Sequence, residues 1–293
     1  YFTALTKTPG ASLAELYLWK TDGSPEGTVQ VTDEKNDLVK SSEIRDLTLA
    51  GSLLYFVVDR NTLWRTDGTA KGTSSLAPIG ERNDVGHQLA AYQGKLYFDN
   101  GTDGQALWVT DGTVAGTNRV NAVSPKFFLA TAQALFFNGD DGYHGEELWI
   151  HDSAPQGTRL VTNINAALTI RPPKAVIPAG DRVYMISDGS LEDPDYPNSP
   201  NHPSYRLWIS DGTPQGTHLA PYPEVCSEVY FDPQFHAVVD GILYYPGADC
   251  LIWRTDGTAA GTWKVPGSLD LECFKGMGAT PLGQRLFYFM GSS

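Results

Sequence analysis

Basic residues are scarce in this sequence of 293 residues. Lys and Arg number 21 against 34 Asp and Glu, a formal net charge of −13. Nucleic acid and anionic membranes both demand a basic footprint, so neither is an expected partner. Long apolar runs are missing as well. None reaches the roughly 18 residues that a membrane-crossing helix needs. Cysteine is rare, with only Cys226, Cys250 and Cys273, all in the last quarter. They form no C-x-x-C pair and have no adjacent histidine, which argues against zinc. One disulfide with one thiol left over fits an oxidising compartment, and three buried thiols fit equally. Enzyme signatures are absent too: no G-x-S-x-G, H-E-x-x-H, P-loop or G-x-G-x-x-G opening a helix. The six histidines, at 87, 144, 151, 202, 218 and 236, are scattered. No segment carries a sustained 3.6-residue apolar stripe, so almost no helix is expected.

What is present is glycine (30) and proline (19), 11% aromatics and only 19% charged residues. That aromatic content excludes a disordered chain. Length alone suggests two domains, a weak prior beside an internal repeat. Six segments align without gaps, each an aliphatic residue, Trp, two positions, Asp, usually Gly-Thr, two positions and Gly-Thr. Their tryptophans are Trp19, Trp64, Trp108, Trp149, Trp208 and Trp253, spaced 45, 44, 41, 59 and 45 residues apart. A period in the forties is that of a four-stranded propeller blade.

Each period divides into four strands, a to d. Aliphatic-aromatic runs such as Leu54-Tyr55-Phe56, Leu96-Tyr97-Phe98 and Leu243-Tyr244-Tyr245 give strand b. The Trp segment gives strand c, and the run after the second Gly-Thr gives strand d. Glycine turns at Gly51, Gly94, Gly180, Gly241 and Gly283 separate a from b. The expectation is an all-β propeller of six four-stranded blades, a single domain over 1–293, with the ring closed by N- and C-terminal strands. Tyr1-Phe2 is then surplus to the six. Seven blades or an open fragment are the alternatives.

Asp22, Asp67, Asp111, Asp152, Asp211 and Asp256 occupy one position of the repeat. A catalytic residue has no reason to recur six times, whereas Asp-Gly suits a tight hairpin: glycine takes positive φ and the carboxylate accepts a backbone N–H. These aspartates are read as turn formers. The six repeat tryptophans are read as inter-blade core, because exposing six large rings would forfeit more burial energy than a marginally stable fold can spare. Trp263 falls outside the motif and is expected to be exposed.

The recurring Leu-Trp-x-Thr-Asp-Gly-Thr-x-x-Gly-Thr, with Glu147-Leu148-Trp149 as its fullest copy, resembles the ELWxxDGT repeat family of secreted and surface proteins of bacteria. The resemblance spans all six periods. The leading Glu survives only at Glu147, being Tyr17, Thr62, Ala106, Arg206 and Leu251 elsewhere. It implies a propeller-like protein of the cell envelope or extracellular space and supplies no catalytic residues. The chain begins at Tyr1, so either a leader was cleaved or the sequence is cut from something longer.

Ligand sites in propellers lie at pore mouths and in loops that break the repeat. The long fourth interval holds Asp193, Asp195, Tyr196, His202 and Tyr205 among stiffening prolines. With Trp263 these form the candidate contact surface, against the plainer reading of an ornamental loop. Asp140, Asp141, Glu146 and Glu147 surround His144, where oxygen ligands suit calcium, although the spacing is not that of an EF-hand and solvated hairpin charges explain them as well. The expected function is a non-enzymatic, secreted or envelope-exposed binding and scaffold propeller in a larger assembly. A lectin with glycans between blades and a pore-mouth hydrolase or lyase using paired carboxylates are the rivals.

Overall fold

The structure, a computed structural model, describes residues 1–6, 15–31, 43–79, 89–101, 106–154, 157–163, 175–188, 205–225, 236–247, 249, 251–266, 277–282 and 285–290. The chain is an all-β propeller, and the described residues form no helix. Among the described residues the strands of each sheet pair with their chain neighbours and run antiparallel, so each blade is a meander.

The first blade comprises β1 (Phe2–Thr6), β2 (Glu15–Lys20) and β3 (Val29–Gln30). The second has β4 (Ile44–Ala50), β5 (Leu53–Val58), β6 (Thr62–Thr66) and β7 (Ser74–Pro78), and the third β8 (Leu89–Tyr92), β9 (Lys95–Asn100), β10 (Ala106–Thr110) and β11 (Asn118–Asn121). The fourth runs through β12 (Ser124–Ala130), β13 (Leu135–Asp140), β14 (Glu146–His151) and β15 (Thr158–Leu160). The fifth has β16 (Ala175–Ala179), β17 (Arg182–Asp188), β18 (Tyr205–Ser210) and β19 (His218–Val225). The sixth has β20 (Ala237–Val239), β21 (Ile242–Pro246), β22 (Ile252–Thr255) and β23 (Trp263–Lys264), and a hairpin, β24 (Met277–Leu282) with β25 (Arg285–Met290), follows. Six sheets therefore carry the Trp motif. Five are four-stranded and the first shows three strands among the described residues. Phe2–Thr6 pairs along its whole length with β2, Phe2 opposite Trp19, so it is strand b of the first blade and not a surplus strand.

The chain forms two compact units, Tyr1–Ala130 and Thr131–Ser293. In the first unit both faces of a blade are buried, and strand b reads as an unbroken apolar run. Leu54 and Phe56 of β5 join Trp64 of β6 and Leu18 of β2 in one cluster. Tyr55, Val57 and Leu63, alternating with them, meet Leu96, Phe98 and Trp108 of the third blade. That is the two-residue period of a strand buried on both sides. In the second unit Tyr184, Ile186, Leu207 and Ile209 pack against Leu243, Tyr245 and Trp253. Each buried side chain of this size contributes about 1.5–3 kcal/mol.

Strand a carries one device beyond the plain meander. Asp46 in β4 and Phe127 in β12 both have positive φ, at 57° and 50°. The β4–β5 register shifts between Arg45 and Thr48, so Asp46 sits in a β-bulge that bends the strand.

Candidate functional site

The repeated Asp-Gly-Thr segment builds one hydrogen-bonded cassette. In the second blade Asp67 Oδ1 accepts from Thr69 N at 2.9 Å and from Thr69 Oγ1 at 2.7 Å. The Thr69 hydroxyl accepts from Gly72 N at 3.0 Å, and the Thr73 hydroxyl donates to the Thr69 carbonyl at 2.6 Å. Thr66 Oγ1 accepts from Gly68 N and lies 2.7 Å from Thr73 Oγ1, tying the two strands together. The same set recurs around Asp22, where Ser24 replaces the threonine, and around Asp111, Asp211 and Asp256. The N–H groups of Gly68, Thr69, Gly72 and Thr73 are thus all paired inside the loop.

Two glycines per cassette have separate causes. The second (Gly27, Gly72, Gly116, Gly216, Gly261) lies under the Asp carboxylate, and a Cβ there would collide with it. The first takes positive φ, 89° at Gly68 and 92° at Gly112, and in four blades it also abuts the preceding blade. Gly68 meets Tyr1 and Lys20, Gly112 meets Leu53 and Tyr55, Gly212 meets Phe136 and Ile150, and Gly257 meets Ile209 and Arg182. The hairpin is thus a turn and a blade-to-blade joint at once.

The hydrogen bonds hold the carboxylates ionised. The Thr69 hydroxyl and then its N–H lower the pKa of Asp67, as Thr113 does for Asp111 and Thr258 for Asp256. For Asp22 the Ser24 N–H leads and its hydroxyl follows. The fourth copy lacks the first glycine, and its Asp152 Oδ2 accepts from Arg159 at 2.7 Å while Oδ1 accepts from Ala154 N at 2.9 Å. His151 takes the place of the threonine and meets Thr158 Oγ1 at 2.8 Å.

Five of the six tryptophans sit opposite a strand-b aromatic, as with Phe56 and Trp64 stacked at 6.4 Å, and Trp208 faces Met185. Trp64 and Trp149 are buried, and Trp19, Trp108, Trp208 and Trp253 are half-buried. Trp208 Nε1 donates to Ser187 at 3.1 Å and Trp253 Nε1 to Asp249 at 3.0 Å. The buried indole N–H groups of Trp19, Trp108 and Trp149 have no acceptor among the described residues. Trp263 is 41% exposed, with the Arg254 guanidinium 4.9 Å over its ring.

At the β13–β14 hairpin, Asp141 Oδ1 accepts from Tyr143 N and His144 N, both at 2.9 Å, and Oδ2 meets His144 Nδ1 at 2.8 Å. Both oxygens are thereby engaged inside the loop, Glu146 accepts from Asn138 at 3.2 Å, and Glu147 is buried. Among the described residues no three His, Cys, Asp or Glu side chains are grouped to hold a metal ion. The hairpin instead presents Tyr143, 89% exposed, at its tip. Asp193, Asp195, Tyr196 and His202 lie outside the described residues, as do the three cysteines, and of Tyr205 only its place at the start of β18 is described. Tyr143 was missed by sequence reading, because nothing in the motif distinguishes a tip aromatic from a core one.

No protein-family model and no curated protein matches the chain. Among solved structures it is similar to a chain of a nidogen/laminin complex, with 10% identity over 85% of this chain and 88% of that one and a TM-score of 0.40. TolB from Acinetobacter baumannii has 13% identity over 84% of this chain and 58% of its own, with a TM-score of 0.40. A prolyl endopeptidase has 11% identity over 86% of this chain and 36% of its own, with a TM-score of 0.48. No helix among the described residues is long and apolar enough to cross a membrane.

Proposed function

We propose that this chain is a non-enzymatic binding and scaffold propeller that docks a protein partner in a larger assembly outside the cytoplasm, at the bacterial surface or in the envelope. The observation that carries this reading is the fate of the repeated motif. In five cassettes Oδ1 of the Asp is consumed by its own hairpin, so the recurrent residues build a frame and recognition falls to side chains that do not recur. Tyr143 is such a side chain, an exposed aromatic on a loop already ordered by Asp141. A rigid tyrosine offers contact area at low entropic cost. The compartment is supported by the repeat resemblance.

Native pull-down from envelope and secreted fractions, read by mass spectrometry, tests this. A partner retained by the native chain and lost with Tyr143→Ala is expected. A strictly monomeric chain that retains nothing contradicts it. The proposal also takes 1–293 as one ring closed by the terminal strands. Small-angle scattering then gives a radius of gyration of about 19 Å, the value for one compact domain of this length. A clearly larger value means that the ring is open.

A further inference from the structure

The hairpins of the fifth and sixth blades flank a cleft of about 210 Å³ whose lining includes Arg182, Ile209, Asp211, His218, Gly257 and Thr258. The hairpins recur along the chain, and Asp211 and Thr258 recur with them; Arg182 and His218 do not. Arg182 directly precedes the aliphatic-aromatic run of strand b, where other blades hold Leu53, Lys95, Ala134 and Ile242. His218 opens strand d, where others hold Val29, Ser74, Asn118 and Trp263. Arg, Asp and His therefore meet around one hairpin pair.

The three groups are held in place with hydrogen-bonding capacity to spare. Arg182 donates through Nε to Asp181 at 3.1 Å and through Nη1 to the Asp256 carbonyl at 3.2 Å, which fixes the guanidinium and leaves Nη2. Asp211 Oδ1 takes both bonds from Thr213, leaving Oδ2. His218 Nδ1 lies 2.9 Å from the Leu219 carbonyl. A carbonyl can only accept, so Nδ1 carries the proton and Nε2 of the neutral ring is an acceptor. A guanidinium and a carboxylate in one cleft offset each other, which favours neither a simple anion nor a simple cation. They suit a neutral molecule that both donates and accepts. Ile209 and the Gly257 backbone add an apolar surface beside them.

We propose that this cleft binds a neutral, hydroxyl-rich ligand of monosaccharide size, with adjacent hydroxyls shared between Asp211 and Arg182, another donated to His218 Nε2, and a C–H face resting on Ile209. The site goes beyond the protein-docking reading and stands without it. Its volume lies below the usual range for drug-sized ligands, so a small ligand and a Kd of about 1 mM are expected.

The test is isothermal titration and saturation-transfer NMR of the full chain with D-glucose, D-galactose, D-mannose and N-acetyl-D-glucosamine, from about 0.1 to about 50 mM to bracket a millimolar Kd. Inorganic phosphate is the anionic control. The expected result is saturable binding of at least one sugar, one per chain, weakened about tenfold or more by Asp211→Asn and by His218→Ala. Asparagine keeps an acceptor for Thr213, and His218 is exposed, so the variants' melting curves separate lost binding from lost folding. Absence of saturable binding by all four sugars overturns the proposal. So does binding that survives both variants, or binding of phosphate in place of sugar.

Discussion

The phenol of Tyr184 in the fifth blade donates a hydrogen bond to the main-chain carbonyl of Thr255 in the sixth at 3.0 Å. Tyr184 is fully buried, and beside it Arg182 reaches the next carbonyl, that of Asp256. Two successive carbonyls at the end of one blade's strand c are thus satisfied from the blade before it. Tyr184→Phe leaves the Thr255 carbonyl without this donor and should cost about 1–3 kcal/mol in denaturant unfolding. An unchanged midpoint would show that the bond contributes nothing net.

Tyr184 also sets an alkaline limit. Burial pushes its pKa up to about 12. A native value raised above the unfolded value of about 10 means stability that is fully present below pH 10 and is lost as pH rises toward 12. Melting temperature should fall across that window, and Tyr184→Phe should flatten the fall. Parallel curves for the two proteins would rule out this residue as the cause.

The acid side behaves in the opposite sense. Hydrogen bonds from Thr69, Thr113 and Thr258 lower the native pKa of Asp67, Asp111 and Asp256. Their contribution is present above the unfolded value of about 4 and is lost as pH falls below it through the lowered native values. Replacing all three by Asn should make the loss of melting temperature below pH 4 shallower than in the native chain. Circular dichroism from pH 7 to acid decides it.

Gly72 and Asp67 should be coupled. A methyl at Gly72 would collide with the Asp67 carboxylate, so Gly72→Ala should cost about 1–3 kcal/mol, as overpacking does. Asp67→Ala alone removes the two Thr69 bonds. In the double variant the clash has no partner, and its cost should be smaller than the sum of the two. Strict additivity in a double-mutant cycle would mean that the carboxylate does not shape the glycine requirement.

Ser187→Ala removes the acceptor of the Trp208 indole N–H and should destabilise the chain by about 1–2 kcal/mol. The position that corresponds to Ser187 in the first blade is Ala4, two residues after the partner of Trp19, whose own indole N–H has no acceptor among the described residues. Ala4→Ser should stabilise by a comparable or smaller amount. Urea midpoints that move in the same direction for both variants would contradict the pairing logic.

Much of the blade was legible in residues. The Trp spacing set the period, the aliphatic-aromatic runs marked strand b, and Asp-Gly-Thr marked the c–d hairpin, because turn chemistry and alternation are local. The two glycines of that hairpin looked like turn residues alone. Only the packed fold shows Gly112 against Tyr55 and Leu53 of the previous blade, a contact between residues more than fifty apart. The strand-a bulge at Asp46 was likewise hidden, since nothing in Asp-Leu-Thr-Leu announces a positive φ.

For the site the balance is reversed. Trp263 stood out as unusual and is exposed, stacked with Arg254. The acidic run at 140–147 suggested oxygen ligands, but backbone geometry turns the Asp141 carboxylate inward on its own loop. Arg182 and His218 carried only a faint signal, as odd residues at repeat positions otherwise largely apolar or small. The sequence by itself determined the repeating unit, its strands and its turns, because those follow from interactions within a few residues. Which side chains meet around two hairpins was decided by the tertiary structure alone, because strand pairing within the fifth blade brings Arg182 to the cleft with Asp211, 29 residues on, and stacking on the sixth brings it to the Asp256 carbonyl, 74 residues on.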